Sequence, residues 1–264
     1  MKIRIIAICA VMSLLGACVT SPTGRSQLML VSPAQVRQMG IASFNDMRKA
    51  GKFANAPNER AYATCVANAL ISVLPPPWNS QKWEVQIIKD NSANAFALPG
   101  GRIGVNQGMF KVATNQDQLA VVLGHELSHV VAQHGAERVS DNMATQLGVV
   151  AASAYGASQG MNPNTLQALL GVGSQVGILL PFSRAQESEA DTLGQRFMAE
   201  AGFNPEAAVT LWQKMDKTSG GGASFLSTHP SPGQRISHMQ QGAQQLMPVY
   251  RQARASGHTP NCHL

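Results

Sequence analysis

The sequence predicts an α+β fold, mainly α-helical, with one small β-sheet beside a central helix, and three observations predict it. Apolar residues recur at helical spacing over most of the chain, in segments opened by Ser, Asn or Asp and closed by Gly or Pro. Between residues 83 and 105 the spacing changes to alternation, interrupted by the turn Pro99-Gly100-Gly101. Beyond the N-terminus no apolar run reaches the roughly 18 residues of a membrane-spanning helix, which argues against a polytopic membrane protein. With 44% hydrophobic and 13% charged residues, the 264-residue chain can build the core of one sizeable domain with a short anchor.

Taken in order, the first residues read as an export signal: basic Lys2 and Arg4, an apolar stretch over 5–15, then small Gly16 and Ala17 before Cys18. Leu15-Gly16-Ala17-Cys18 resembles the bacterial lipoprotein box, in which residues 1–17 are removed and the cysteine is acylated. The competing reading is an ordinary signal peptide with an incidental cysteine. Val19 replaces the aspartate that often retains lipoproteins in the inner membrane, so the resemblance implies lipid anchoring at the periplasmic face of the outer membrane. Residues 18–56 form the tether and an N-terminal helix: 20–27 is polar, Ser32-Pro33 caps a helix over 32–49, and 51–58 is a linker.

The main domain spans 57–250. A helix over 59–74 ends at Pro75-Pro76-Pro77, and 83–88, 93–98 and 102–105 form the sheet. Polar Thr114-Asn115-Gln116-Asp117 opens a helix over 118–133. Residues 141–180, rich in Ala, Gly and Ser, read as a helical hairpin, too often interrupted by Gln and Asn to cross a membrane. Helices over 184–201, 205–217 and 232–247 follow, and 251–264 is a C-terminal tail.

Cys9 lies in the signal and Cys18 carries the lipid, which leaves Cys65 and Cys262. In an oxidising compartment they predict one disulfide; the alternative is two buried thiols. Loss of Lys2 and Arg4 with the signal lowers the formal charge from +6 to +4. The remaining basic residues are scattered and do not interleave with aromatics, which argues against a nucleic-acid partner.

The chemistry concentrates in His125-Glu126-Leu127-Ser128-His129, an H-E-x-x-H pattern on the 118–133 helix. Residues four apart share a helix face, so both imidazoles can address one metal while Glu126 borders its open side. Zinc held by two histidines and a carboxylate retains a place for water, acidifies it and polarises a carbonyl, while the glutamate accepts the proton. Glu187-Ser188-Glu189-Ala190-Asp191 offers the carboxylate: Glu187 and Asp191 share a face, and Glu189 points elsewhere. Glu187 then binds the metal and Asp191 orients a ligand histidine, the bland alternative being solvated helix charges. His134, one residue past a full turn from His129, is expected at the surface. For Arg138 and Arg184 the sequence does not choose between solvent and the site's surroundings.

Four stretches in order add specificity: Asn94-Ala95-Phe96-Ala97-Leu98-Pro99-Gly100-Gly101, Gly124-His125-Glu126-Leu127-Ser128-His129-Val130, Phe182-Ser183-Arg184-Ala185-Gln186-Glu187-Ser188-Glu189-Ala190-Asp191 and Ser227-Thr228-His229-Pro230-Ser231-Pro232-Gly233-Gln234-Arg235. With them the chain resembles the gluzincin family of zinc metallopeptidases that includes HtpX, the CAAX prenyl proteases and the bacterial periplasmic lipoproteins of BepA and LoiP type. The resemblance implies one Zn2+ per chain held by His125, His129 and Glu187, with Glu126 as general base and Asp191 as orienter. It implies a gluzincin peptidase domain whose 94–98 strand lies at the cleft edge, where Asn94, Ala95 and Phe96 pair with an extended substrate. For His229 it implies a role at the metal, and two remain open: a plug in the water's place, or a donor to the oxyanion. Gly220-Gly221-Gly222 before it gives the segment freedom to move.

The expected function is a metalloendopeptidase acting on unfolded or mis-assembled envelope proteins, with polypeptide substrates, a membrane attached through the lipid, and envelope assembly machinery as partners. The alternative is a chaperone-like outer-membrane assembly factor that binds such clients and cleaves them rarely.

Overall fold

A computed structural model describes residues 18–159, 182–218, Phe225, His229 and 232–264. The signal at 1–17, the second arm of the expected hairpin and the Gly220-Gly221-Gly222 stretch lie outside the described residues. The fold is mainly helical with small sheets, as predicted. The chain divides into two compact units, 1–33 with 135–180, and 34–134 with 181–264.

In the first unit, strands β1 (Cys18–Thr20) and β2 (Ser26–Leu28) form an antiparallel hairpin across the stretch read as a polar tether over 20–27. Ser21 and Gly24, the latter at φ 91°, close its turn. Buried Glu137 accepts hydrogen bonds from Arg25 and, at 3.0 Å, from the Gln27 amide, while Ser140 Oγ accepts from the Leu30 N–H at 2.8 Å. These bonds from residues distant in the chain hold a strand pair too short to be stable alone.

The second unit opens with α1 (Pro33–Lys49) and α2 (Pro57–Ile71), each with proline at its start, where the missing N–H costs nothing. Strands β3 (Glu84–Ile88), β4 (Ala95–Leu98) and β5 (Arg102–Asn106) form a sheet in the order β3-β5-β4. β5 runs parallel to β3 and antiparallel to β4, so β4 is an edge. Phe96 pairs with Gly104, and a Cβ there would meet its ring at 2.2 Å. The glycine makes room for the aromatic ring.

After the short α3 (Met109–Val112) come α4 (Gln116–Val131), α6 (Arg184–Glu200), α7 (Ala207–Thr218) and α8 (Pro232–Ala255), while α5 (His134–Ser158) belongs from Gly135 onward to the first unit. Helix α4 is central: α2, β4, α6 and α7 all pack on it, and Leu119, Leu123 and Leu127 are fully buried with Ile103, Val105, Met198 and Phe203. Helix α8 continues through Pro248, beyond the end expected at 247. Only the last residues of the chain are an extended tail. Gln116 fastens them, donating to Pro260 O at 3.1 Å and accepting the Cys262 N–H at 2.8 Å, and Cys262 is bonded to Cys65 on α2 with a Cα–Cα distance of 5.7 Å. No helix among the described residues is long and apolar enough to cross a membrane.

Candidate metal centre

Two glycines bring the ligand-bearing helices together. Asn115 caps α4, its Oδ1 accepting the Gln118 N–H at 2.9 Å, and Ser183 and Gln186 form a reciprocal cap on α6. Where the helices cross, a Cβ on Gly194 would lie 2.9 Å from the His125 backbone nitrogen, and one on Gly124 would lie 3.1 Å from the Gly194 carbonyl oxygen. The absent side chains set the helix spacing and with it the distance from His125 to the carboxylates of α6.

At that crossing His125, His129, Glu187 and His229 offer four ligand atoms within 4.8 Å of one another. The Nε2 atoms of His125 and His129 are 3.0 Å apart, and Glu187 oxygens lie 3.5 and 3.6 Å from them. His229 Nδ1 is 3.1 Å from His125 Nε2 and 2.7 Å from Glu187 Oε1. Donors around a single tetrahedral zinc are separated by about 3.3 Å, so nitrogen-rich ligands at these spacings fit one zinc ion.

The electrostatics agree. Burial alone would lower the pKa of His125, but its hydrogen bond to Asp191 and the charge of nearby Glu187 prevail and raise it to about 9. Burial likewise opposes charge on Glu187, yet the His229 hydrogen bond and the neighbouring His125 hold its carboxyl well below the usual carboxylate range. The centre therefore favours positive charge, and a metal cation supplies it where protons otherwise would. Among the described residues, the buried Glu126 Oε1 and Glu187 Oε2 have no hydrogen-bond partner.

Asp191 accepts from His125 Nδ1 at 2.9 Å, leaving Nε2 as the metal-facing atom. Arg235, to which the sequence reading gave no role, holds that carboxylate: its Nε and Nη2 each donate to Asp191 at 2.7 Å. Its Nη1 is 2.8 Å from Glu187 Oε2, an ion pair out of line for a hydrogen bond, and the guanidinium lies 3.9 Å from the centre of the Trp212 ring. Burial pushes Asp191 up, but the His125 bond and the Arg235 charge outweigh it and lower the pKa. No local signal separates Arg235 from a solvated helix arginine; only its place in the motif with His229 pointed to it.

Glu126 is buried, and burial raises its pKa against the opposing charges of His229 and His125 and a backbone hydrogen bond from Ala97 on β4. Its Oε1 is 3.4 Å from His229 Nε2. The edge strand thus borders the proposed base. Of the residues expected to meet substrate, Ala95 turns its side chain into the core, Phe96 covers Gly104, and Asn94 Oδ1 caps the Ala95 N–H at 2.9 Å, so these side chains have partners within the fold. His229 is buried and stacks on Phe225 with ring centroids 4.4 Å apart. Cys18 is exposed and free, and Arg184 is exposed.

His134 overturns one expectation. It is fully buried, with Nδ1 2.8 Å from His129 Nδ1 and Nε2 3.1 Å from Glu189 Oε2. Placing it at the surface assumed that α4 continues. Instead Gln133 adopts a left-handed conformation at φ 56° after the helix ends, and the chain returns His134 against His129. Glu189, set apart from the pair Glu187 and Asp191, is buried by that contact.

Residues 57–243 match the family described as peptidase family M48. The chain belongs to that family. A mitochondrial metalloendopeptidase OMA1 of Schizosaccharomyces pombe is 43% identical over 158 residues, covering 59% of this chain and 45% of the relative. Its Arabidopsis thaliana counterpart is 34% identical over 176 residues, 66% of this chain and 34% of the relative. The beta-barrel assembly-enhancing protease of Escherichia coli is 28% identical over 244 residues, 87% of this chain and 48% of the relative. The chain thus matches half or less of each relative's length. Similarity extends to mitochondrial proteases as well as to the bacterial branch expected from the motifs.

Proposed function

We propose that this protein is a zinc metalloendopeptidase of the bacterial cell envelope that hydrolyses peptide bonds in unfolded or mis-assembled proteins. The observation that carries this reading is Glu126, buried between the metal-ligand cluster and the Ala97 backbone of an edge strand. When bound, zinc would acidify a water and polarise the scissile carbonyl. His125, His129 and Glu187 would hold it, with Asp191 and Arg235 fixing His125 and Glu187. An extended polypeptide pairs with β4 through main-chain hydrogen bonds, which confers little sequence preference and suits unfolded clients. Glu126 accepts the proton at its carboxylate and returns it to the leaving amine; burial raises its pKa.

Glu126→Gln keeps the shape and loses the proton acceptor. It should leave zinc content unchanged and lower hydrolysis of an unfolded substrate by about 10²- to 10⁴-fold. Near-normal turnover would sink the mechanism. Comparing the envelope proteomes of Glu126→Gln and parent cells identifies the clients.

The cellular address rests on the N-terminal segment, because M48 relatives also serve in mitochondria. Cleavage before Cys18, lipidation of that residue and retention at the periplasmic face of the outer membrane form the proposed address; Cys18→Ser should release the protein from membranes. His229 is proposed as a resting-state plug, since its Nδ1 joins the three other ligand atoms at the position a catalytic centre keeps for water. His229→Ala should then cleave faster at unchanged zinc content, whereas slower cleavage would assign it to the oxyanion. The plug also favours the second reading, a client-binding assembly factor that cleaves rarely. That reading accords with the name of the assembly-enhancing relative, and Glu126→Gln retaining rescue of client assembly would support it.

A further inference from the structure

We infer that His134 and Glu189 are positioning residues for His129, forming a relay from a buried carboxylate through one imidazole to the metal-facing imidazole. The inference rests on the zinc-site reading above.

The two ligand histidines have different supports. His125 Nδ1 meets a carboxylate directly, Asp191 at 2.9 Å. His129 Nδ1 meets the Nδ1 of another histidine, His134, at 2.8 Å, and the far nitrogen of that ring meets Glu189 Oε2 at 3.1 Å. The His129 and His134 rings stand at 71° to one another, and His134 and Glu189 are 0% and 4% exposed.

Proton accounting fixes every donor. A metal at His129 Nε2 takes that lone pair, so Nδ1 carries the hydrogen. Nδ1 of His134 must then accept, which places the hydrogen of His134 on Nε2, where the Glu189 carboxylate accepts it. The opposite tautomer of His134 would set two N–H groups facing each other at 2.8 Å and leave Glu189 facing a lone pair. Glu189 therefore selects the His134 tautomer, and His134 selects that of His129. Residues that orient ligand histidines typically change metal affinity by about 10- to 100-fold.

The test is chelator competition for zinc on the full mature protein, with far-UV circular dichroism to establish folding. His134→Phe should weaken zinc binding by about 10- to 100-fold. His134→Asn places an amide oxygen near the position of Nδ1 and should bind zinc more tightly than His134→Phe. Glu189→Gln should weaken binding in the parent and add nothing in the His134→Phe background, a non-additivity that a merely structural role would not produce. The double variant His134→Phe/Glu189→Gln also avoids an unpaired buried charge. If His134→Phe does not fold, the double variant measured against the parent, with His134→Asn and Glu189→Gln, decides in its place. Parent-like zinc affinity in His134→Phe or the double variant overturns the relay, as does an Asn variant no better than Phe. His125→Ala serves as reference: if it loses zinc while the His134 variants do not, only the relay fails, and if it keeps zinc, the metal site itself fails.

Discussion

Helices α4 and α5 are separated by two residues in the chain and both are legible as helical, the first with an apolar face and the second within a small-residue hairpin, yet they place their apolar side chains in opposite surroundings. Residues 118–131 of α4 are all buried, including His125, Glu126 and His129. On α5, Met143, Leu147, Val150 and Tyr155 are 41%, 63%, 65% and 70% exposed. The difference is one of partners: α2, β4, α6 and α7 enclose α4. Enclosure is what makes α4 a site. Removing water raises the stakes of each polar group, so the ionisable side chains of α4 persist only because α6 and α8 bring matching charges and hydrogen bonds. The exposed part of α5 beyond Asp141 has no such demand, whereas its first turns bury His134, Glu137 and Ser140 with hydrogen-bond partners of their own.

If matched burial sustains α4, the largest effect should come from deleting the group that neutralises two carboxylates beside it. Arg235→Met leaves Asp191 and Glu187 facing each other without the guanidinium, and should cost the metal-free protein about 3 to 5 kcal/mol in urea unfolding. The pH dependence supplies the sign. Asp191 has a lowered pKa in the fold, so its contribution is present above the ordinary carboxylate pKa and is lost as pH falls below it. Arg235→Met should flatten that acid-side loss, and a parent-like stability curve would show that α4 does not depend on Arg235.

A smaller effect is expected where the helices touch. Gly194→Ala puts a methyl against the His125 backbone and should destabilise by about 1 to 3 kcal/mol, with weaker zinc binding, because α4 must move away from α6. Unchanged stability and zinc affinity would mean that the crossing has slack. The smallest effect belongs to α5: Leu147→Lys, at a side chain already in water, should shift stability by no more than about 0.5 kcal/mol. A loss comparable to that of Gly194→Ala would show that Leu147 is covered in solution and erase the contrast between the helices.

How much of this was legible depended on whether the signal was local. Proline punctuation marked α1 and α2, alternation and a Pro-Gly-Gly turn marked β3 to β5, and four-residue spacing put His125 and His129 on one face and Glu187 and Asp191 on another. The β1–β2 hairpin escaped notice because its strands are three residues each and are held by Glu137 and Ser140, more than a hundred positions away. The helix expected over 232–247 stopped short of Pro248, yet α8 runs through that proline to Ala255.

The sequence by itself determined the helical class, the small sheet, the pair of metal-facing imidazoles and the choice of donor types, because helix and strand periodicity decide which neighbours share a face. Only the tertiary structure decided which charges complete the centre. Arg235 reaches Asp191 and Glu187 from α8, His134 reaches His129 because Gln133 turns left-handed, and Gly194 sets the approach of α6. Each depends on distances between segments far apart in the chain or on one backbone angle, and neither is encoded in the spacing of residues along a single helix.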